Sequence, residues 1–219
     1  DNTIVEATKQ LAAQAGLTMD TIVRNELVGG YNVMYVPKIV DGVESVVDSR
    51  SSVNKTALLR VEDVFKAAAR LKAMNAPKID GYYVGIIHPY VAFDLMQKAG
   101  NQRMEVQKYT TPENMLTGEI GCLGGVRFVE TTEAKIWEEG ESNCAVFATL
   151  IMGADAYGVT SVTGGGIEHI VKQKGYGDDP LNQRSSIGWK GIKTAKRLVE
   201  EYIIRIESGS TFSGSAKTN

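Results

Sequence analysis

The most informative segment of the chain is GYGDDPLNQRSSIGWKGIKTAKRLVEEYIIRIES, residues 175–208. Its first part, residues 175–191, is dense in Gly, Asp, Pro, Asn and Ser, which favour turns. The largest apolar side chain in this part is Trp189, and tryptophan is a poor choice for a solvated loop. The composition therefore predicts a structured loop, with the Trp189 ring buried under residues 179–191.

The second part, residues 192–206, has apolar residues at two different periods. A helical stripe would contain Ala195, Leu198, Val199, Tyr202, Ile203 and Ile206. A strand would place Leu198, Tyr202, Ile204 and Ile206 opposite a polar face of Arg197, Glu201, Arg205 and Glu207. The isoleucine and tyrosine content favours the strand. The Ser/Gly/Thr-rich residues that follow have little to bury and predict a flexible tail over residues 211–219.

The composition is that of an ordinary globular protein. With 219 residues, of which 43% are hydrophobic, the chain is long enough for one large domain or two small ones. A net charge of -2 disfavours a general nucleic-acid binder, which needs a clustered basic surface. Two cysteines make no disulfide framework and suit a reducing compartment.

The sequence also shows neither a signal peptide nor an apolar run of the roughly 18 residues that a membrane span needs. It opens at Asp1 rather than Met, which predicts that an upstream segment has been removed.

Taken in order, the first half of the chain predicts alternating helices and strands. Residues 1–28 carry one narrow apolar stripe and predict a helix on the order of 40 Å long, suited to bracing a flat sheet. A hairpin is expected over residues 31–53 around Asp41-Gly42, and a helix over 58–74. Residues 82–87 predict a buried strand, after which His88-Pro89 opens a third helix that ends at Gly100.

The second half predicts further strands and loops. Residues 101–118 are expected to form an exposed loop, and 131–143 a polar loop carrying Trp137. Strands are expected over the segments 123–130 (entered through Gly124-Gly125), 144–152, 157–162 and 167–174, the last two joined by the glycines 164–166. The fold class is therefore α+β.

No pattern in the chain predicts a catalytic site, a cofactor or a metal. The spacings of His88, His169, Cys122 and Cys144 match no zinc motif, and the histidines are better explained as a helix cap and a strand-surface residue. The glycine runs match neither GxGxxG nor a P-loop. Ser52–Lys55 fits S-x-x-K without its companion motifs, and the acidic and basic groups at 138–141, 178–179 and 190–197 are typical of solvated faces.

Several segments together resemble the major capsid proteins of tailed bacteriophages and prophages, which have the Hong Kong 97-type fold. The closing run DPLNQRSSIGWKG with EYIIRIESGS resembles the C-terminal end of that family. LRVEDVFKAAARLKAMNAP and YYVGIIHPYVAFDLM resemble its axial-domain helix, strand and helix. GEIGCLGGVRFVETTEAKIW is similar to its G-x-L-G-G-x-x-F-V-E-T segment, and CAVFATLIMGADAYGV to the strand pair that follows. The resemblance covers residues 1 to about 210.

The resemblance implies an architecture. Residues 1–54 would hold the spine helix and part of a peripheral domain, 55–174 an axial domain, and 175–210 a return to the peripheral domain. The family's N-terminal arm and extended loop, which reach neighbouring subunits, have no counterpart here. Residues Gly164, Gly165 and Gly166 would lie in a loop around the axial symmetry axis, and with Trp189 and Lys190 they are the candidate assembly residues.

The function implied is a structural coat protein, not an enzyme. It would self-assemble as pentamers and hexamers into an icosahedral shell that encloses double-stranded DNA non-specifically. Scaffold, protease and portal proteins would be its partners, with no membrane involved. It would be made in the bacterial cytoplasm and reside in the virion capsid. The alternatives are the shell protein of an encapsulin-like nanocompartment, an α+β enzyme with an unrecognised site, and a ligand or adaptor module.

Overall fold

The structure is a computed structural model that describes residues 2–99, 119–160, 165–177 and 179–219. It confirms the predicted α+β class. The helices are α1 (Asn2–Val28), α2 (Val61–Ala73) and α3 (Pro89–Ala99). The strands are β1 (Val33–Tyr35), β2 (Lys38–Val40), β3 (Val43–Ser45), β4 (Tyr83–Ile87), β5 (Glu119–Leu123), β6 (Val126–Glu130), β7 (Ile136–Trp137), β8 (Val146–Met152), β9 (Tyr157–Val159), β10 (Glu168–Lys172), β11 (Ser186–Lys190), β12 (Ala195–Arg197) and β13 (Ile203–Ser208).

The three helices lie where the sequence predicts them. Helix α1 fills the segment 1–28, and its buried apolar side chains include Ala15, Met19 and Leu27. Helix α3 begins at Pro89 because His88 caps it. The His88 carbonyl accepts the Ala92 N–H at 2.9 Å, and its Nδ1 accepts the Tyr90 N–H at 3.2 Å. The prediction that His88 is a helix cap is thus confirmed.

One seven-stranded sheet dominates the structure, with the order β1-β13-β8-β4-β6-β5 and with β7 paired to β8. The pairs β1–β13 and β4–β6 are parallel, and the other pairs in this sheet are antiparallel. The predicted buried strands, β4 and β8, lie side by side near its centre. Smaller two-stranded sheets join β2 with β3, β9 with β12, and β10 with β11.

The hydrophobic core lies between one face of this sheet and helices α2 and α3. Its fully buried members include Val64 and Leu71 from α2, Val91 from α3, and Ile204 and Ile206 from β13. Since side chains alternate along a strand, Arg205 and Glu207 point to the opposite face. A strand that alternates apolar and polar residues usually exposes its polar face to solvent. In β13, however, both faces are buried, including the face that carries Arg205 and Glu207.

Two tight turns that contain glycine, at Asp41-Gly42 and at Gly124-Gly125, each join a pair of antiparallel strands. The hairpin around Asp41-Gly42 is confirmed, because both residues adopt positive φ between β2 and β3. The strand predicted over residues 123–130 and entered through Gly124-Gly125 is confirmed as β6, with Val126 and Phe128 buried, but the strand β5 before the glycines was not predicted. Gly124 and Gly125, at φ +64° and +82°, form a two-residue turn that reverses the chain between β5 and β6. A glycine pair with positive φ at both positions is the geometry of a tight hairpin.

The segment 175–208 contains more regular structure than predicted. Residues 175–191 are not loop throughout, because β11 forms their second half and pairs with β10. Residues 192–206 are strand rather than helix, as the composition favours, but the strand is interrupted. It consists of β12, a single 3₁₀ turn at Glu200–Tyr202, and β13. The predicted exposed loop at 101–118 lies outside the described residues.

The chain divides into two compact units. The smaller comprises Asp1–Val23 and Val159–Lys196, and it contains most of α1 and the β10–β11 hairpin. The larger comprises Arg24–Gly158 and Arg197–Asn219, and it contains the seven-stranded sheet with α2 and α3. None of the helices in the described ranges is long and apolar enough to cross a bilayer.

The segment after β13 is bound to the larger unit, although its composition predicts a flexible tail. We call residues 210–219 the strap. The side chains of Ser210 and Ser213 are buried, and the Ser213 hydroxyl donates to the Ala145 carbonyl at 2.8 Å. At the far end, the Asn219 side chain bonds to the backbone of Ala134 and Ile136 at 3.0 Å each. Hydrogen bonds from polar side chains therefore help to hold the strap in place.

The Thr149 hydroxyl is fully buried on β8 and has no hydrogen-bond partner among the described residues. A buried hydroxyl without a partner costs free energy, so replacing it by a methyl of the same shape removes that cost. We expect Thr149→Val to raise the free energy of unfolding by about 1 kcal/mol, measured by urea denaturation. The control is Ser213→Ala, which removes a satisfied hydroxyl and should lower stability. Destabilisation by Thr149→Val would show that its hydroxyl has a partner in solution.

Candidate functional site

The predicted assembly residues that the structure describes lie together in the smaller unit. Gly165 and Gly166 precede β10, and Trp189 and Lys190 end β11. Gly164 lies outside the described residues. The sequence resemblance implies a loop around the axial symmetry axis for these glycines; in the structure Gly165 and Gly166 lie beside helix α1.

A groove of about 440 Å³ runs past these glycines. Its lining residues come from α1 and from the segments next to β9, β10 and β12: Gly16, Met19, Asp20, Thr160, Gly165, Gly166, Ile167, Ile192 and Lys193. A methyl group built on Gly16 or Gly166 would meet no atom within 4 Å, so both glycines border open space. Ile167 and Ile192 are more than half exposed at the rim. The groove is mainly apolar and contains no converging set of titratable groups.

Trp189 occupies a different place from the one predicted. Its ring is half-buried on β11, opposite His169, and its Nε1–H donates to the Gln14 Oε1 of α1 at 3.3 Å. The expectation that the ring lies buried under residues 179–191 is wrong, because the strand β11 carries it onto helix α1. Lys190 forms an exposed ion pair with Glu168 at 2.9 Å, and such pairs contribute little to stability.

Asp179 organises the turn between β10 and β11. Its carboxylate accepts three backbone N–H groups, from Gly175 at 3.1 Å, Gln183 at 3.1 Å and Arg184 at 2.8 Å. The N–H groups of Arg184 and Gln183 in particular hold the pKa of this carboxyl below its usual value. The loop is therefore structured, as the sequence predicts, and it presents the exposed side chains of Tyr176 and Leu181.

The most prominent charged cluster, which sequence reasoning missed, lies in the larger unit. Glu207 on β13 is fully buried between two arginines. Arg50 donates to both of its carboxylate oxygens at 2.8 Å, and Arg205 Nε donates to one of them at 2.8 Å. Arg205 also donates to the carbonyls of Val28 and Gly30.

The outer side of this cluster is closed by an aromatic ring and a second carboxylate. The Arg50 guanidinium lies 3.7 Å from the centre of the Trp137 ring, a cation–π contact, and it donates to Glu139 at 2.8 Å. The bonds from Arg50 to Glu207 raise the pKa of Arg50 further above its already high value. These charges are mutually paired, and Arg205 and Glu207 are buried, which is typical of a structural cluster rather than of a reacting site.

Within the described ranges, no group of three or more His, Cys, Asp or Glu side chains is arranged to hold a metal ion. His169 lies exposed on β10, as predicted for a strand-surface residue. The charged and polar groups described above, around Glu207 and Asp179, stabilise strands and turns through hydrogen bonds and ion pairs.

The fold defines the class of protein. A long leading helix, a mixed seven-stranded sheet with two helices and a separate β10–β11 hairpin together match the Hong Kong 97-type capsid fold in solved structures. The capsid of Ralstonia phage GP4 matches with a TM-score of 0.60 and 16% identity, over 82% of this chain and 52% of that one. The capsid of cyanophage P-SCSP1u matches with a TM-score of 0.61 and 13% identity, over 94% and 66%. The SrpI encapsulin of Synechococcus elongatus matches with a TM-score of 0.60 and 8% identity, over 99% and 69%.

The family follows from the sequence itself. The family model described as phage capsid protein matches residues 3–192, which is most of the chain. The chain belongs to this phage capsid protein family, as the sequence resemblance predicts. It spans about half to two thirds of the length of the capsid chains it resembles. No curated protein sequence matches it significantly.

Proposed function

We propose that this chain is the shell-forming part of a tailed-phage major capsid protein. It would assemble with copies of itself into pentamers and hexamers of a closed icosahedral shell that encloses double-stranded DNA. The observation that carries the proposal is the family match over residues 3–192, which runs from α1 through the β10–β11 hairpin. The buried, paired charges around Glu207 suit a rigid subunit.

The domain assignment is part of this proposal, with its boundaries drawn at the two compact units. The smaller unit, with most of α1, would be the spine helix and peripheral domain. The larger unit, with the seven-stranded sheet, would be the axial domain. Strand β13 then belongs with the axial sheet, because it pairs with β8 and β1.

The proposed location is the virion capsid, after synthesis in the bacterial cytoplasm. Scaffold, protease and portal proteins are the proposed assembly partners. DNA would be contained without sequence recognition, since the net charge of -2 gives the chain no overall basic character.

The proposal is tested by negative-stain electron microscopy of the protein expressed from its natural start codon. We expect closed shells of uniform diameter, because capsid contacts repeat with closed symmetry. A small monodisperse species over a range of salt concentrations would contradict the proposal.

A variant of the same experiment tests Gly164, Gly165, Gly166, Trp189 and Lys190 as assembly residues. The exposed Ile167 and Ile192 and the open space above Gly166 support a contact with a second copy there. A methyl group on Gly166 would meet no atom within 4 Å, so Gly166→Leu would extend from open space into the groove, and we expect folded subunits with fewer shells. Gly214→Leu, also in open space, is the matched control. Equal shell yields from both variants would show that these residues do not form the contact between subunits.

A nanocompartment shell is the second candidate, favoured by the encapsulin match over 99% of the chain. The contents of purified shells distinguish the two functions. Nuclease-protected double-stranded DNA indicates a phage capsid, and a co-purifying protein cargo indicates a nanocompartment.

A further inference from the structure

The N-terminus of α3 holds a buried histidine with an unusual set of neighbours. The His88 ring is 7% exposed and packs against Tyr90 and Phe147, with ring centres 4.9 and 5.0 Å away. Its Nδ1 accepts the Tyr90 N–H, so this nitrogen carries no proton in the folded state. Within the described part of the chain, His88 forms no ion pair with a carboxylate.

The strap lies on the same helix, next to this histidine's neighbours. Phe212 stacks on Tyr90 with ring centres 4.6 Å apart, and its edge meets Phe93 at 5.7 Å. One turn further along α3, the buried Asp94 carboxylate accepts the hydroxyls of Ser210 and Thr211 at 2.7 Å each and the Thr211 N–H at 2.9 Å. Helix α3 therefore holds the first residues of the strap through one aromatic stack and one carboxylate.

Protonation of His88 conflicts with this arrangement for three reasons. Burial lowers the pKa of His88 because it disfavours the charged form. A proton on Nδ1 would face the Tyr90 N–H, turning an accepted hydrogen bond into a contact between two donors. A positive charge at a helix N-terminus also opposes the helix dipole. Tyr90, which contacts His88, is in turn covered by Phe212 of the strap.

We propose that the strap is a proton-sensitive latch, closed on α3 while His88 is neutral and released when His88 takes up a proton. Release of Phe212 frees Tyr90 to move and gives the imidazolium access to water. The other side chains in ring contact with His88, Tyr90 and Phe147, are uncharged at neutral pH. The charged group on α3 that faces the strap is Asp94, whose oxygens are occupied by strap donors.

The sign of the pH dependence follows from linkage. The closed state holds His88 with a lowered pKa, whereas in the open state the ring titrates near its ordinary value of about 6.5. The open state therefore binds more protons, and the closed state loses stability as the pH falls below about 6.5. The inference concerns the folded chain alone and does not rest on shell formation.

Hydrogen exchange of the 219-residue chain, followed by mass spectrometry and corrected for intrinsic rates, tests the latch. Peptides from the strap and from β8 are compared at about pH 7.5 and about pH 5, on either side of the histidine pKa. We expect strap protection to fall severalfold at the lower pH, because the open state binds more protons than the closed state. Protection of β8 should be unchanged.

His88→Asn is the matched variant, because asparagine keeps an acceptor for the Tyr90 N–H and cannot take up a proton. Its strap should be equally protected at both pH values. The latch is refuted by three outcomes: pH-independent strap protection in the natural chain, simultaneous loss in the strap and β8, or the same acid loss in His88→Asn.

An NMR titration provides an independent test should that variant fold poorly. Since the chain has two histidines, the His88 ring signals are readily assigned. The His88 midpoint should coincide with that of strap release, and separate midpoints would also refute the latch.

Discussion

Glu207→Ala is expected to lower the free energy of unfolding by about 3–5 kcal/mol, the cost of leaving buried charges without their partner. Glu207 is fully buried, and its carboxylate accepts three hydrogen bonds, two from Arg50 and one from Arg205. Removing it leaves two guanidinium groups close together inside the larger unit. Urea unfolding followed by circular dichroism measures the loss.

Glu139→Ala is the matched control for this prediction, because Glu139 also binds Arg50 at 2.8 Å but is 61% exposed. An exposed ion pair contributes about 0–1 kcal/mol, so this variant should be nearly as stable as the natural chain. If Glu207→Ala and Glu139→Ala lower the free energy of unfolding by the same amount, the buried Glu207 contributes no more to stability than the exposed Glu139.

Gly209→Ala is expected to lower the free energy of unfolding by about 3 kcal/mol, at the upper end for overpacking of a buried site. A methyl group at Gly209 would overlap the carbonyl oxygen of Asn54. The backbone cannot move away easily, because the Gly209 N–H donates to the Ala57 carbonyl at 2.8 Å and the residue pairs with Leu58.

Gly214→Ala controls for the general effect of replacing glycine in this segment. Its added methyl would meet no atom within 4 Å, so a change within about 0.5 kcal/mol is expected. Thermal unfolding of both variants compares the two sites directly. Equal stability of the two variants would mean that residues 54–57 move to accept the methyl.

Local patterns in the sequence predicted most of the helices and several strands. The apolar stripe of residues 1–28 specifies α1, and the sequence His88-Pro89 specifies the start of α3, because cap and first-turn chemistry are local. The hairpin at Asp41-Gly42 is specified in the same way.

The β5–β6 hairpin was missed although Gly124-Gly125 signals a two-residue turn. The reason lies in β5, whose register shifts between Glu119 and Gly121. Such an irregularity breaks the alternation by which a strand is recognised in sequence. The glycine pair therefore resembled the entrance to one strand rather than the turn between two.

The charged cluster and the strap were not predictable from local pattern. Arg205 and Glu207 alternate with isoleucines, as they would on a strand with one solvated face, but the distant Arg50 and Trp137 help to bury them. Similarly, serines and threonines near residue 210 are typical of a mobile tail, and the acceptors that bind them, the Asp94 carboxylate and the Ala145 carbonyl, are far away in the sequence. Both depend on residues far apart in the chain.

The position of β13 in the large sheet also affects the timing of folding during synthesis. This strand lies between the edge strand β1 and β8, so β1 is not joined to the sheet until residue 208 has left the ribosome. Until then β1 lacks its only sheet partner among the described strands, and one edge of β8 is open. Contacts of such long sequence separation form slowly. The nascent chain therefore completes its larger unit late, which delays any association between copies until translation of this region has finished.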